Sequence, residues 1–493
     1  MKILLRFAAL GAVISAATAQ SPTLFDQIRE RLTANGLRAD VSFLASDALE
    51  GRGTPSRGLD IAGEYIAAQF RRAGLEPAGD DGYFQTAPFV TVTPNTEGVS
   101  FVYEAGGQTI KANADEISLG NGGAVDLSHA PAIKVDSTDT ATMNALTADD
   151  VKDKVILLET PDQAGGGRGA RGGRGGSAAL RSAALLVTIR STAQPGQIQL
   201  RDASASAPPA AMPAITVTNA AIRAAVAAAK PGPLDARISV HIAAPVTTPV
   251  KLRNVVGVLR GSDPVLKDTY VVLTGHYDHL GVRGAGPGDH IFNGANDDAS
   301  GTSSVMEIAN ALGTLPTRPK RSIIFIALFG EERGDLGSRY YGSHPIFPLA
   351  KTIADVNLEQ LGRTDETGEG QKLGQFNLTG FDFTDMPAIF RKYGELTGIK
   401  VVKDEAKSDP YFNRSDNAAF AAVGVPSTTL SVAYSYSDYH GAGDEWPKLD
   451  YDNMAKVDWT IALAFYHMAD STDEPHWNAD NPKTENYRKA RGK

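Results

Sequence analysis

The chain of 493 residues has no cysteine. Disulfides and thiolate zinc sites are therefore excluded, and any metal site must be built from oxygen and imidazole nitrogen. Positive charge is in short supply: 48 Lys and Arg face 57 Asp and Glu, a net charge of −9. That balance argues against nucleic acid or an anionic membrane surface as the main partner. Long apolar runs are also missing. The stretch inside MKILLRFAALGAVISAATAQ falls short of the roughly 18 to 20 residues a spanning helix needs. With Lys2 and Arg6 before it and Ala17-Thr18-Ala19 after it, the stretch reads as a secretory leader cut after Ala19. The expectation is an exported protein, periplasmic or extracellular, with no stable membrane insertion.

Aromatic residues make up only 7% of the chain, and none interrupts the tract GGGRGARGGRGG at 165–176. Without stacking side chains this Arg-Gly tract reads as a flexible surface loop rather than an RNA-binding segment. It lies in a region of short β-rich segments, such as DKVILLE and AALLVTI, that differs in texture from what flanks it. The length exceeds what one core usually serves. The expected organisation is a leader (1–19), a first part of the main domain (20–85), a β-rich insert (86–249), the main part (250–470) and a tail (471–493).

Before the insert, LRADVSFLASDALEGRG reads as a helix. A second follows, with Ile61, Tyr65, Ile66 and Phe70 at helical spacing and Gly74 placed to end it. After the insert, apolar runs (NVVGVL, TYVVLTG, RSIIFIALFG, DVNLEQL, PSTTLSV) alternate with helical patterns such as SSVMEIANALGTL. This predicts an α/β fold whose sheet carries helices on both faces. Ligands in such sheets gather at the carboxyl ends of the strands.

Five acidic or histidine-bearing stretches fall at those ends. GHYDHL carries His276 and Asp278, a spacing that suits a histidine ligand oriented by a carboxylate. His279 and His290 read as loop or pocket-lining residues. NGANDDASG carries Asp297 at a helix entry, where an acid serves the helix N-terminus or bridges two cations. FGEERGDLGS places Glu331 beside Glu332, so that one acid can bind metal while its neighbour acts as a base. NLEQLGR ends in Glu359, which pairing with Arg363 would also explain, and SDYHGAGDEW supplies His440. Each stretch alone has an ordinary structural explanation. Together they point to a co-catalytic metal site.

These motifs resemble those of the di-zinc aminopeptidase, glutamate carboxypeptidase and transferrin-receptor superfamily, most closely its exported bacterial aminopeptidases with an inserted protease-associated domain. The resemblance runs from about Val41 to about Asp470 and includes FLASDALEGRG, GLEPAG and SDNAAFAAVGVPSTTL. It implies a mixed, largely parallel sheet flanked by helices and two zinc ions, with other divalent transition metals able to replace them. One ion would be held by His276 and Glu359, the other by Glu332 and His440, with Asp297 between them. Glu331 would be the base for a bridging water, Asp278 would orient His276, and Tyr439 would donate to the oxyanion. The implied activity is removal of N-terminal residues from peptides with a free N-terminus. A glutaminyl cyclase, a carboxypeptidase using Arg363 and Arg414, and a receptor-like protein with a dead site remain the alternatives. Two positions depart from the pattern: Glu359 stands where many relatives have aspartate, and Asn417 where they often have histidine.

Overall fold

The computed structural model describes residues 23–120, 122–160, 178–193, 198–205, 212–284, 286–364 and 373–492. The expected leader at 1–19 and the Arg-Gly tract lie outside them. The chain divides into two compact units, Met1–Thr86 with Arg253–Lys493, and Ala87–Leu252.

The second unit is built on an eight-stranded sheet. At its centre Val155–Glu159 runs parallel to both Val125–Asp136 and Leu185–Ile189. Val155, Leu157, Leu185 and Val187 are fully buried in one core cluster with Ile222 and Val226 of the helix Ala220–Ala228. The apolar runs DKVILLE and AALLVTI are thus central strands.

After a short helix at Leu24–Arg31, the first unit continues with helices α1 (Ala34–Leu44) and α2 (Arg57–Arg72). Ile66 and Phe70 of α2 are fully buried, and Gly74 follows it with φ +72°. LRADVSFLASDALEGRG is not one helix, as the sequence suggested. After α1 it becomes a tight turn at Asp47–Arg52, with Glu50, Gly51 and Arg52 all at positive φ. A left-handed run of this kind reverses the chain and turns the Arg52 side chain inward.

The sheet strands are β1 (Val246–Leu259, within this unit from Arg253 on), β2 (Tyr270–His276), β3 (Ser322–Leu328), β4 (Thr352–Glu359), β5 (Gln375–Leu378), β6 (Lys400–Val402) and β7 (Ser427–Ser431). Their order is β6-β5-β7-β4-β2-β3-β1. Strands β3, β2, β4 and β7 are mutually parallel, while β1 and β5 join antiparallel. Every residue of β2 and β3 is buried, as expected of central parallel strands covered on both faces. Helices α3 (Ser300–Gly313) and α4 (Tyr451–Asp470) cover one face. On the other, Tyr341 and Phe420 from two short helices pack on Val272, Ile324 and Ile326. Among the described residues no helix is long and apolar enough to cross a membrane.

Between α1 and α3 two acids are buried together. The Tyr65 hydroxyl donates to Asp40 at 2.7 Å. Burial pushes the Asp40 carboxyl up to about 6, and burial with the adjacent Asp40 charge pushes Glu307 up to about 7. The folded chain therefore holds protons that the unfolded chain has released, so this contribution to stability is lost as pH rises through that range. The expected result is that Glu307→Gln gains melting temperature relative to the parent as pH climbs from about 5 to about 8. Thermal unfolding of metal-stripped protein checks this; a difference independent of pH would refute it.

Candidate metal centre

The carboxyl ends of β2, β3, β4 and β7 deliver the site. His276 is the last residue of β2 and Glu359 the last of β4. Glu331 and Glu332 follow β3 in a single turn, entered through Gly330 at φ +71°. His440 lies in the loop after β7, at φ +55°. Asp297 sits in the turn Ala295–Ala299 that leads into α3.

These side chains converge. His276 Nε2 is 3.3 Å from Asp297 Oδ1, 3.7 Å from Glu359 Oε1 and 4.0 Å from Glu331 Oε2. His440 Nε2 is 3.0 Å from Asp297 Oδ2 and 2.8 Å from Glu332 Oε1. Asp297 therefore reaches one histidine with each oxygen. Exposure is graded across the cluster: the Asp297 and Glu332 side chains are 4% and 3% exposed, whereas Glu331, Glu359 and His440 are 15%, 13% and 20% exposed. The last three mark the side open to a substrate.

Surrounding groups fix the arrangement. Both Asp444 oxygens accept the Asn296 N–H, at 3.0 and 3.1 Å, and one also accepts the Asp297 N–H at 3.1 Å. Tyr436 donates to the same carboxylate. Asp298 accepts from the backbone N–H groups of Gly301 and Gln360. Gly301 has to be glycine, because a Cβ there would collide with the Asp298 carboxylate and the Leu358 carbonyl. Ser415 donates to Glu359.

The buried guanidinium of Arg52 donates to the carbonyls of Leu44, Tyr277, Asn293 and Gly294. It thereby ties the His276 loop to the loop that carries Asp297. Burial lowers Arg52 to about 10, against the pull of Asp278, Asp298, Asp444 and Asp297.

The remaining residues named from the sequence take these positions. The Asp278 backbone carbonyl lies 3.2 Å from His276 Nδ1 and its carboxylate 3.6 Å away. That carboxylate accepts from the Glu331 N–H at 3.1 Å and the Thr54 hydroxyl at 2.9 Å, so Asp278 steadies the Glu331 backbone as well. Arg363 pairs with Asp438 at 3.1 Å and not with Glu359. Arg414 lies over the Tyr411 ring, and Asn417 is buried, bonded to Phe412 and Thr429. His290 bonds the Gly286 carbonyl in its loop. His279 is fully buried, with Nδ1 3.1 Å from Glu332 Oε1. The Tyr439 ring centre is 4.2 Å from that of His440, and burial with the carboxylates of Asp297, Glu332, Glu359 and Glu331 pushes its phenol up.

The donor set fits a metal. His276 Nε2, Asp297 Oδ2, Glu332 Oε1 and both ring nitrogens of His279 are buried without a hydrogen-bond partner, although their neighbours stand 2.8 to 3.3 Å away. Buried polar atoms are rarely left so. Atoms this close yet not aimed at one another are spaced as the ligands of a cation would be. Electrostatics agree. Burial favours the neutral form of Asp297 and Glu332, yet the surrounding imidazoles hold Asp297 well below the usual range and Glu332 at about 2. Burial likewise opposes a charged His440, and those carboxylates still raise it to about 9. Glu331 and Glu359 behave differently: burial, reinforced by neighbouring carboxylates, pushes Glu331 well above the ordinary carboxyl range and Glu359 up to about 7 despite His276. One acid of the adjacent pair is thus held as an anion, while the other has the raised proton affinity that suits a base.

Comparison with solved structures defines the fold first. The chain aligns over 93% of its length with the aminopeptidase from Aneurinibacillus sp. strain AM-1, covering 98% of that chain at TM-score 0.56 and 19% identity. It aligns over 89% with a zinc aminopeptidase from Bacillus subtilis, covering 96% of that chain at TM-score 0.53 and 18% identity. The fold is that of the zinc aminopeptidases. More specifically, residues 254–465 match the family described as Peptidase family M28. A probable zinc metalloprotease of Leptosphaeria maculans is 41% identical over 216 residues, 42% of this chain and 46% of that protein. A probable leucine aminopeptidase 2 of Aspergillus oryzae is 28% identical over 225 residues, 40% of this chain and 41% of that protein. The chain spans less than half the length of these curated relatives.

Proposed function

We propose that the protein is an exported, zinc-dependent aminopeptidase that removes N-terminal residues from peptides. The observation that carries this reading is the ring of unpartnered buried donors with Glu331 left over beside it. Two ions are assigned: His276, Glu359 and Asp297 would hold one, and Glu332, His440 and Asp297 the other. The zinc metalloprotease and zinc aminopeptidase names of the relatives support the metal. Bound there, zinc supplies Lewis acidity toward a carbonyl and lowers the pKa of water.

The remaining chemistry belongs to the chain. Glu331, on the open side, takes the proton of the attacking water and returns it to the leaving amine. Asp278 fixes the Glu331 backbone and Tyr439 donates to the oxyanion that develops. Glu359, more exposed than the other carboxylate ligands, faces the α-ammonium of the substrate. The commitment of Arg363 to Asp438 weighs against a site for a C-terminal carboxylate. Ala87–Leu252 is assigned as a protease-associated type of insert on its β-rich core, and the leader at 1–19 as the export signal.

The test is a panel of aminoacyl chromogenic substrates and their N-acylated counterparts, run on chelator-stripped and zinc-restored protein. Hydrolysis confined to free-amine substrates, lost on stripping and regained with zinc, is expected. Equal hydrolysis of the acylated set would overturn the exopeptidase assignment, and activity indifferent to stripping would overturn the metal.

A further inference from the structure

We propose that His279 is a third imidazole directed at the metal centre, on the side of Glu332 and His440. The inference rests on the metal reading above and extends it to a residue that the sequence offered only as pocket lining. Its Nδ1 is 3.1 Å from Glu332 Oε1, the same oxygen that lies 2.8 Å from His440 Nε2. Donor atoms of His279, Asp297 and Glu332 all fall within 4.8 Å of one another, a spacing that one cation can span. The side chain is 0% exposed, and neither ring nitrogen has a hydrogen-bond partner. A histidine buried for packing alone normally satisfies at least one nitrogen, because leaving both bare is costly.

The ring is also held in place. The His279 N–H donates to the Arg52 carbonyl at 3.2 Å. The ring stands edge-on to His440, with centres 5.6 Å apart. Gly294, at φ +58°, leaves the space that the ring fills, since a Cβ there would run into it. A site that excludes even a methyl group beside an imidazole fixes where that imidazole points.

The two ligand sets are then unequal. His279, His440, Glu332 and Asp297 offer two imidazoles and two carboxylates to one ion, while His276, Glu359 and Asp297 offer one imidazole and two carboxylates to the other. The first zinc taken up goes to the richer set, and the second is the more exchangeable.

X-ray absorption of stripped wild-type protein reloaded with one equivalent of zinc tests this without a variant. Two imidazoles around the ion are expected, falling to one in His279→Gln at the same loading. A single imidazole in the wild type, or an unchanged count in the variant, would overturn the role of His279. Failure of the wild type to retain any zinc would instead overturn the metal reading itself. If His279→Gln does not fold, the wild-type count decides alone.

Discussion

Glu331→Gln is expected to lower kcat/KM about 10²- to 10⁴-fold, the usual contribution of a positioned general base, while zinc content and melting temperature stay close to those of the parent. The distinction between adjacent residues makes the expectation specific. Glu331 lies on the open side, 4.0 Å from His276 Nε2, and its backbone is held by Asp278. Glu332 is almost wholly buried and shares one oxygen between two imidazoles. Glu332→Gln should therefore lose metal, whereas Glu331→Gln should keep it and lose the proton transfer. Steady-state kinetics beside metal analysis of both variants separates these outcomes. Full activity in Glu331→Gln would remove it from the mechanism.

Arg52→Met is expected to cost about 3 to 5 kcal/mol of stability, the scale of breaking a buried charged network by deleting one partner. Four backbone carbonyls lose their donor at once, and the carboxylates of Asp278, Asp297, Asp298 and Asp444 lose a buried cation that attracts them. Arg52→Lys should recover only part of this, because three donors on one nitrogen cannot reproduce a planar fork. All three tryptophans, Trp446, Trp459 and Trp477, lie in the unit that contains Arg52. Denaturant unfolding followed by their fluorescence therefore reports on the right domain. It should be run on metal-stripped protein, so that zinc binding to the folded state does not enter the measured stability. A loss below about 1 kcal/mol, the scale of an ordinary substitution, would show the carbonyls to be satisfied otherwise.

What the sequence made legible follows from the kind of signal each residue carries. The central strands were visible because a parallel strand buried on both faces is a continuous apolar run, and His276, Glu331, Glu332 and Glu359 stood out as polar residues where such runs stop. Arg52 was hidden because its partners are carbonyls, which leave no trace in residue type, and because three successive positive-φ residues broke a segment that scans as helix. Asp444 sat in a loop already marked for His440, but an acid in a Gly-rich loop usually faces solvent; only the folded chain shows it gripping the Asp297 turn. His279 was read only as loop or pocket lining because it is adjacent to better candidates. The one available hint was Gly294 in NGANDD, a glycine whose vacant side is filled by a ring fifteen positions earlier in the chain. The Glu359–Arg363 pairing failed because proximity in sequence said nothing of Asp438, which reaches Arg363 through space.

Helix α3 begins three residues after Asp297 and carries Glu307 midway along it, so one rigid rod has the metal-binding turn at its head and a proton-sharing acid pair along its shaft. Across about pH 6 to 7, where burial places the Asp40 and Glu307 carboxyls, loss of their protons puts like charge between α1 and α3. Variants at this acid pair should therefore shift the pH dependence of the scaffold's stability without touching a single proposed metal ligand.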